Sequence, residues 1–397
     1  MKKKTIDDVV LAGKRVLVRV DFNVPLDNGR VSDDTRLRAS LPTVKKIVAD
    51  GGRAILMSHL GRPKGQVKPE FSLKPVAAEF ARLLGKPVAF AEDCIGAKAK
   101  SVVDGLKNGD ACLLENLRFH PEEEKNEPGF ARELASLGDV YINDAFGSAH
   151  RAHASTEGVT RVLPVSAAGY LMQKEIEYLG GLLAHPKRPF VAVLGGAKVS
   201  GKLEVIGHLL GKVDTLIIGG GMAFTFIKSQ SGQIGRSLVE EDLLDTARQT
   251  MTDAAKRGTK FLLPSDCMAA ADMKNPGQPA TVGAGKIPSD LAGFDIGPDT
   301  ARAFSEALSG AGTIFWNGPM GVFEVPPFDK GTKIVAEAVG AATAKGAVSV
   351  VGGGDSVAAV QKMGLADRIS HISTGGGASL EFMEGKVLPG VAALNDA

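Results

Sequence analysis

The stretch Val191–Lys198 reads VAVLGGAK and sets the pattern for the second half of the chain. Short apolar runs there end in glycines beside a cation or a carboxylate. The arrangement returns in LIIGGGM at Leu216–Met222, SVVGGGD at Ser349–Asp355 and ISTGGG at Ile372–Gly377. Because glycine has no Cβ, its backbone N–H groups are open to close approach by a phosphate. Four such turns favour a nucleotide or phosphate site over ordinary strand endings.

Apolar runs alternate with helical stretches along the whole chain, which implies right-handed βαβ units and parallel sheets. Ligands of such sheets bind beyond the carboxyl ends of the strands. We therefore predict an α/β fold with two Rossmann-like domains, whose parallel sheets are flanked by helices, joined by an interdomain helix with a cleft between them. The predicted buried strands are 15–20, 54–58, 111–114, 140–143, 190–194, 215–218, 260–263, 313–316, 348–351 and 369–373.

The boundary between the domains is predicted at an amphipathic helix from about Ala168 to Leu183. Apolar residues recur there at helical spacing, and Pro186 and Pro189 end the pattern. An ordinary surface helix within one domain is the alternative. The predicted division is residues 1–168, a hinge helix at 169–186, residues 187–378, and a C-terminal segment 379–397.

Composition narrows the ligand class. At 397 residues the chain is long enough for two domains, and a net charge of +2 is too small for a general polyanion binder. The single Trp and three Tyr argue against aromatic stacking on nucleic acid. The basic excess lies within residues 1–165, which suits a small, multiply anionic ligand.

Cysteine placement and the N-terminus predict a cytoplasmic protein without a membrane partner. Cys94, Cys112 and Cys267 form no CxxC pair, so the sequence predicts neither a disulfide framework nor a zinc site. The lysines of MKKKTIDDVV precede no apolar core, and no stretch approaches the roughly 20 apolar residues of a membrane helix.

Predicted strand ends in the first half carry a guanidinium or imidazole beside small polar residues. Arginine suits this position because its planar fork binds phosphate or carboxylate through two hydrogen bonds. Any single arginine could equally be a surface ion-pair residue. Glu122–Glu124 is interpreted as a solvated loop. The segments are VDFNVP at 20–25, DTRLR at 34–38, SHLGRP at 58–63, ENLRFH at 115–120 and DAFGSAHRAH at 144–153.

Several common site motifs are absent or incomplete. There is no HExxH, no GxSxG, and no GxGxxG after the first strand, which argues against a zinc hydrolase, a serine hydrolase and a dehydrogenase. GAKVSGKL at Gly196–Leu203 resembles a Walker A motif, but Leu203 has no hydroxyl for Mg²⁺. Lys198 and Lys202, four residues apart, are instead predicted to share one helix face toward one anionic ligand.

The ordered set of segments resembles the phosphoglycerate kinase family. To the five segments above it adds GGAKVSGK, WNGPMGVFE, GGGDS and STGGGAS, and the similarity runs from about Arg15 to KVLPGVAAL at 386–394. The resemblance implies reversible phosphoryl transfer between 1,3-bisphosphoglycerate and ADP, giving 3-phosphoglycerate and ATP. It implies Mg²⁺ as cofactor and a monomer that acts on small molecules, with no nucleic-acid partner.

The resemblance also implies residue roles and a C-terminal segment, 379–397, that packs back on the N-terminal domain. The bilobal arrangement implies hinge closure. Triose-acid binding is expected from Asp21, Asn23, Arg36, His59, Leu60, Gly61, Arg62, Arg118 and Arg151. Nucleotide binding is expected from Lys202, Gly220, Asn317, Glu324, Gly353, Gly354, Asp355 and Ser356, with Asp355 also holding the metal. Arg36 and Lys198 are expected to form the cationic clamp on the transferring group, completed by the backbone of Gly375 and Gly376.

Two other functions agree with the bilobal organisation. One is a non-catalytic two-domain anion-binding protein that closes on its ligand, and the other is a different small-molecule kinase. The first leaves the two separate phosphate-type constellations unexplained. Alternative phosphoryl acceptors would distinguish the second.

Overall fold

Contacts along the chain divide it into two compact units, seen in a computed structural model that describes residues 2–397. The first unit runs to Glu177 and includes Val387–Ala397, and the second is Tyr178–Lys386. The first contains helices α1 to α5, the start of α6, and α14. The second contains the rest of α6 and helices α7 to α13. Helix bounds are α1 Thr35–Ala49, α2 Lys74–Leu84, α3 Gly96–Asp104, α4 Pro121–Glu124, α5 Pro128–Ala135, α6 Tyr170–Ala184, α7 Leu203–Leu209, α8 Ala223–Ser229, α9 Leu244–Lys256, α10 Pro298–Ser309, α11 Lys330–Ala344, α12 Gly354–Lys362, α13 Gly377–Met383 and α14 Pro389–Ala392.

The first unit has a six-stranded parallel sheet in the order β3-β4-β2-β1-β5-β6. Its central strands are buried on both faces, which explains their continuous apolar runs. One face packs on α1 and α2 through Val18, Val44 and Phe80, among others. The strands are β1 Arg15–Val20, β2 Arg53–Met57, β3 Val88–Ala91, β4 Ala111–Leu114, β5 Val140–Asp144 and β6 Ser166–Ala168.

The second unit has a six-stranded parallel sheet in the order β9-β8-β7-β13-β14-β15. The direction in which strands are added reverses between β7 and β13, the point at which doubly wound sheets bind ligands. A small antiparallel sheet, in the order β11-β10-β12, is inserted between β9 and β13. The strands are β7 Phe190–Leu194, β8 Thr215–Ile218, β9 Lys260–Leu262, β10 Asp266–Ala270, β11 Ala280–Gly283, β12 Ala292–Ile296, β13 Thr313–Asn317, β14 Val348–Gly352 and β15 His371–Ile372.

The predicted α/β class with helix-flanked parallel sheets is confirmed, and all ten predicted strands are present within a few residues. The sequence did not predict β3, β6 or the antiparallel insert. β3 and β6 are short edge strands, and β3 is largely half-exposed.

The predicted helix at about 168–183 is α6. Asp144 caps its start, because Oδ1 accepts from the Leu171 N–H at 2.9 Å.

The C-terminal residues form part of the first unit. The Gly390 N–H donates to the Ala149 carbonyl at 2.8 Å, and Asn143 Nδ2 donates to the Gly390 carbonyl at 3.1 Å. Lys3 Nζ donates to the Leu394 carbonyl and to Asp396 Oδ1, both at 2.8 Å. Both ends of the described chain are therefore built into one unit. The bounds 1–168, 169–186, 187–378 and 379–397 assign functional roles to segments of the chain, and this assignment stays a prediction.

Within residues 2–397, no helix is both long and apolar enough to span a bilayer.

Candidate active site

At the carboxyl ends of β1 and β2, four of the predicted residues are joined by an ion pair and hydrogen bonds. Arg36, in the first turn of α1, pairs through Nη1 with Asp21 Oδ2 at 2.9 Å and donates to the Asn23 carbonyl at 3.3 Å. Asn23 Oδ1 accepts from the Gly61 N–H at 2.9 Å. The Arg36 side chain is 37 % exposed, so its guanidinium can be reached from solvent.

A buried asparagine joins the SHLGRP and ENLRFH segments. Asn116 Oδ1 accepts from the N–H groups of Leu60 and Arg118 at 3.2 and 3.0 Å, and its Nδ2 donates to the Leu60 carbonyl at 2.7 Å. Arg118 Nη1 then donates to the Gly61 carbonyl at 2.9 Å. Asn116 thus fixes the two turns that carry predicted ligands, a role that the sequence did not reveal.

Arg19 is a second residue that the sequence analysis missed. It lies fully buried in β1, where Nη2 contacts His59 Nδ1 at 3.0 Å and Nε donates to Ser155 Oγ at 2.8 Å. A guanidinium has no acceptor, so His59 Nδ1 must accept and the ring proton lies on Nε2. Burial, together with Arg19, Arg118 and Arg36, holds the pKa of His59 well below its usual range. His59 is therefore a neutral Nε2–H donor at pH 7. The sequence feature that could have identified Arg19 is its charge within the otherwise apolar end of the strand RVLVRV.

The solvated-loop interpretation of Glu122–Glu124 is wrong for Glu123. These residues form α4, and Glu123 is fully buried, accepting from the Ser155 N–H at 3.0 Å and from Ser155 Oγ at 2.5 Å. Through Ser155 its carboxyl group faces the buried Arg19, so a negative group offsets a cation that burial would otherwise make costly.

The remaining predicted triose-acid residues, Arg151 and Arg62, differ in burial. Arg151 is half-buried, donates through Nε to His150 Nε2 at 3.1 Å, and adds to the positive field that lowers the pKa of Arg118, for which burial is the main cause. Arg62 is exposed on the turn after Gly61. We call Asp21, Asn23, Arg36, His59, Arg118 and Arg151 the arginine site, whose excess positive charge suits a multiply anionic small molecule.

The second unit holds a cavity of about 340 Å³ at the carboxyl ends of β7, β13 and β14. We call it the phosphate cavity, because glycine backbone and lysine side chains form much of its wall. Nine of the predicted or resemblance-implied residues lie there or at its edge. Those that line it are Lys198, Lys202, Asn317, Gly353, Gly354, Asp355, Ser356 and Gly376. Gly375 precedes Gly376, and its N–H donates to Ser373 Oγ at 3.1 Å.

Close backbone approach shapes this cavity. Gly318 has φ +103°, and a Cβ there would lie 2.1 Å from the Gly195 carbonyl oxygen, so only glycine fits. The Gly318 N–H donates to the buried Ser356 Oγ, which connects the ends of β13 and α12.

The two lysines do not share a helix face, contrary to the sequence analysis, because α7 begins only at Leu203. Both nevertheless line the phosphate cavity. Lys198 is exposed, whereas Lys202 is largely enclosed and donates through Nζ to Asn317 Oδ1. Burial lowers the pKa of Lys202 to about 8. The loop 195–202 therefore places one exposed and one enclosed cation at the same cavity.

A wider cavity of about 550 Å³ adjoins the first and shares Asp355, Gly196 and Ala197 with it. Gly220 and the exposed Glu324 line this cavity, as does Phe294 within β12. Its mixture of an aromatic ring, aliphatic residues and a carboxylate suits a nucleoside. The antiparallel insert supplies Ala292, Gly293 and Phe294, none of which the sequence analysis identified.

A doubly wound sheet ending in glycine-lined cavities and a second sheet ending in arginines define an α/β protein that handles phosphorylated small molecules. The family model described as "Phosphoglycerate kinase" matches residues 6–386. The phosphoglycerate kinases of Moorella thermoacetica and Chloroherpeton thalassium are 60 % and 57 % identical, each with complete coverage of both chains. The chain belongs to the phosphoglycerate kinase family.

Solved structures agree with this assignment. The phosphoglycerate kinase of Coxiella burnetii superposes with a TM-score of 0.90 at 41 % identity, and that of Pyrococcus horikoshii with 0.85 at 32 %, each over 98 % of both chains. The family is one of phosphotransferases with a carboxyl acceptor, so the predicted enzyme class and the predicted resemblance are both confirmed.

Proposed function

We propose that the protein catalyses reversible phosphoryl transfer between 1,3-bisphosphoglycerate and ADP, giving 3-phosphoglycerate and ATP, as a glycolytic and gluconeogenic enzyme. The observation that carries the proposal is the match over 6–386, which includes both the arginine site and the phosphate cavity. A cytoplasmic monomer that acts on small molecules without nucleic acid is part of the same proposal, and light scattering after gel filtration tests its mass.

The arginine site is proposed to hold the triose acid. Arg118 and Arg151 would bind its phosphate, and neutral His59 would donate from Nε2. Asp21 and Asn23 hold Arg36 and the Gly61 turn in place, as their hydrogen bonds support. Leu60, Gly61 and Arg62 shape the remaining wall.

The two cavities of the second unit are proposed to hold the nucleotide. Lys202, Asn317 and the Gly353–Ser356 turn would bind its phosphates, while Gly220 and Glu324 would line the nucleoside space, with Glu324 on the ribose hydroxyls. The adjoining positions of these residues support this division of roles.

The residues present fit a bound Mg²⁺. Asp355 offers an exposed carboxylate at the first turn of α12, on the wall that the two cavities share. Mg²⁺ is typically held by one or two carboxylates together with substrate phosphates. Asp355 would hold the ion directly or through the nucleotide phosphates. The ion supplies neutralisation of phosphate charge.

The chemistry needs alignment rather than a general base. In the ATP-consuming direction the 3-phosphoglycerate carboxylate, already ionised at neutral pH, attacks the γ-phosphorus. The bond from that phosphorus to the ADP oxygen breaks, and ADP leaves with the electron pair. Arg36 and Lys198 are proposed to stabilise the charge of the transferring group, and the Gly375–Gly376 backbone to complete the clamp.

Both substrates must meet with water excluded, so the proposal includes closure of domains 1–168 and 187–378 about the 169–186 helix. Within the C-terminal segment 379–397, residues Val387–Ala397 belong to the first unit. Small-angle scattering of the free and doubly liganded protein tests this step. An unchanged radius of gyration with both substrates bound would remove closure from the mechanism.

The decisive experiment measures ADP release from MgATP and 3-phosphoglycerate, with the acyl phosphate trapped by hydroxylamine. Hydroxamate formation should require both substrates. Arg36→Ala and Lys198→Ala should each lower kcat by about 10²–10³ with smaller changes in substrate affinity.

Arg38→Ala and Lys256→Ala are the matched controls. Arg38 lies about half a turn after Arg36 in α1 and pairs with Asp34 at 2.7 Å. Lys256 is an exposed residue of α9. Both should retain wild-type turnover. Binding of both substrates without ADP release would favour a non-catalytic anion binder, and turnover only with another acceptor would favour a different kinase.

A further inference from the structure

We propose that Asp93, Cys94 and His120 form a binding site for a divalent transition metal of the zinc type in the first unit. The inference goes beyond the proposed reaction, which uses none of the three. It also revises the sequence analysis, which predicted no zinc site from the spacing of cysteines and histidines.

The topology explains how the three residues meet. β3 and β4 are adjacent parallel strands with Ala91 opposite Leu114, so the segments that follow them leave the same edge of the sheet. Asp93 and Cys94 lie two and three residues after β3, and His120 follows the turn after β4. Spacing motifs record only ligands close in sequence and therefore missed a set divided between two strand ends.

The donor geometry fits a small cation. One ligand atom from each residue lies within 4.8 Å of the other two, and within residues 2–397 this is the one such group of three. His120 Nε2 is 2.7 Å from Asp93 Oδ1. Small rotations of these two side chains, which are 28 % and 37 % exposed, would bring the atoms to zinc–ligand distances of about 2.0–2.3 Å.

The chemistry of the set selects the metal class. One sulfur, one imidazole nitrogen and one carboxylate oxygen are a borderline-soft set, which suits Zn²⁺, Co²⁺ and related ions rather than Mg²⁺. Three protein ligands leave a fourth position for water. Cys94 is fully buried, whereas Asp93 and His120 lie toward the surface and provide the entry path.

Catalytic use of the cysteine is the competing explanation, because Asp, His and Cys also form nucleophilic triads. A nucleophilic thiol must be reached by its substrate, and reactive cysteines lie in partly exposed, electropositive surroundings. The Cys94 side chain is 0 % exposed, and a carboxylate is its immediate chain neighbour. Burial therefore favours a structural metal ligand over a nucleophile.

A metal here would act on the substrate-binding region through the backbone. His120 is two residues from Arg118, and its N–H donates to the Leu117 carbonyl within the turn that carries Arg118. Coordination would connect that turn to the segment before α3. The expected result is a more stable first unit with Arg118 held in place.

The test is a Co²⁺ titration of the untagged, chelator-treated full-length protein, followed by absorption spectroscopy. A thiolate-to-cobalt charge-transfer band with tetrahedral d–d bands should grow to one Co²⁺ per chain and disappear on addition of Zn²⁺. Oxygen-bound Co²⁺ near Asp355 would give no thiolate band, so the two sites are distinguishable.

Variants assign the ligands. Cys94→Ala and His120→Gln should abolish the charge-transfer band, whereas Cys112→Ala and Cys267→Ala, at buried cysteines outside the cluster, should retain it. His120→Gln changes a partly exposed side chain, so it keeps the test valid if Cys94→Ala fails to fold. Absence of the band in the wild-type protein, or its persistence in both ligand variants, would overturn the proposal.

Discussion

Lys202 is expected to make nucleotide binding depend on pH in the mildly alkaline range. Its ammonium group is enclosed in the wall of the phosphate cavity, and burial lowers its pKa to about 8. A bound phosphate would favour the charged form, because opposite charges at short range stabilise each other. The free protein must therefore supply a protonated Lys202, and raising the pH removes that form.

The magnitude follows from the pKa. With a value of about 8, roughly 90 % of Lys202 is charged at pH 7 and roughly 9 % at pH 9. If binding requires the charged form, the apparent Kd for ADP rises about tenfold over this interval, equivalent to about 1.4 kcal/mol.

Isothermal titration calorimetry with ADP between pH 7 and pH 9 measures this change directly. Lys202→Arg, which stays charged throughout, should flatten the profile, whereas Lys198→Arg leaves Lys202 in place and should keep the tenfold change. A wild-type Kd that changes less than about twofold, or an equal slope in Lys202→Arg, would refute the assigned role of Lys202.

Two further predictions concern stability. Burial raises the pKa of Asp144 to about 6, so folding favours its protonated form, and the free energy of unfolding should fall by up to roughly 3 kcal/mol between about pH 4 and pH 6. Urea unfolding followed by circular dichroism should show this slope in the wild type and its loss in Asp144→Asn; equal slopes would contradict it. Gly318→Ala should lower the thermal midpoint far more than Gly346→Ala, because both positions have φ near +100° but only Gly318 meets a backbone oxygen. Equal losses of thermal midpoint in the two variants would mean that backbone strain at positive φ, rather than the steric clash at Gly318, determines the destabilisation.

Much of the fold could be predicted because central parallel strands are buried on both faces and therefore appear as continuous apolar runs. Val191–Leu194 and Thr313–Trp316 are examples. The antiparallel insert lacks that signal. β11 (Ala280–Gly283) is exposed or half-exposed along its length, so partner strands rather than local pattern determine it.

The candidate site could be predicted where its residues lie at strand ends. It could not be predicted where buried residues hold the site in place by hydrogen bonds. Lys202, Asp355 and Arg36 follow recognisable strand or glycine patterns. Asn116 and Arg19 act by hydrogen bonds to residues distant in sequence, such as Asn116 to Leu60, and no local periodicity records such partners. Glu123 was misjudged for the same reason, since its partner Ser155 lies 32 residues away.

The return of Val387–Ala397 to the first unit has a consequence for biosynthesis. Those residues leave the ribosome after all of Tyr178–Lys386, so the second unit has its full sequence available for folding while the first still lacks α14 and the Lys3–Asp396 pair. The unit whose synthesis begins first is therefore the last to be completed. Until then the surface of Asn143 and Ala149 that α14 covers is open to chaperones and proteases.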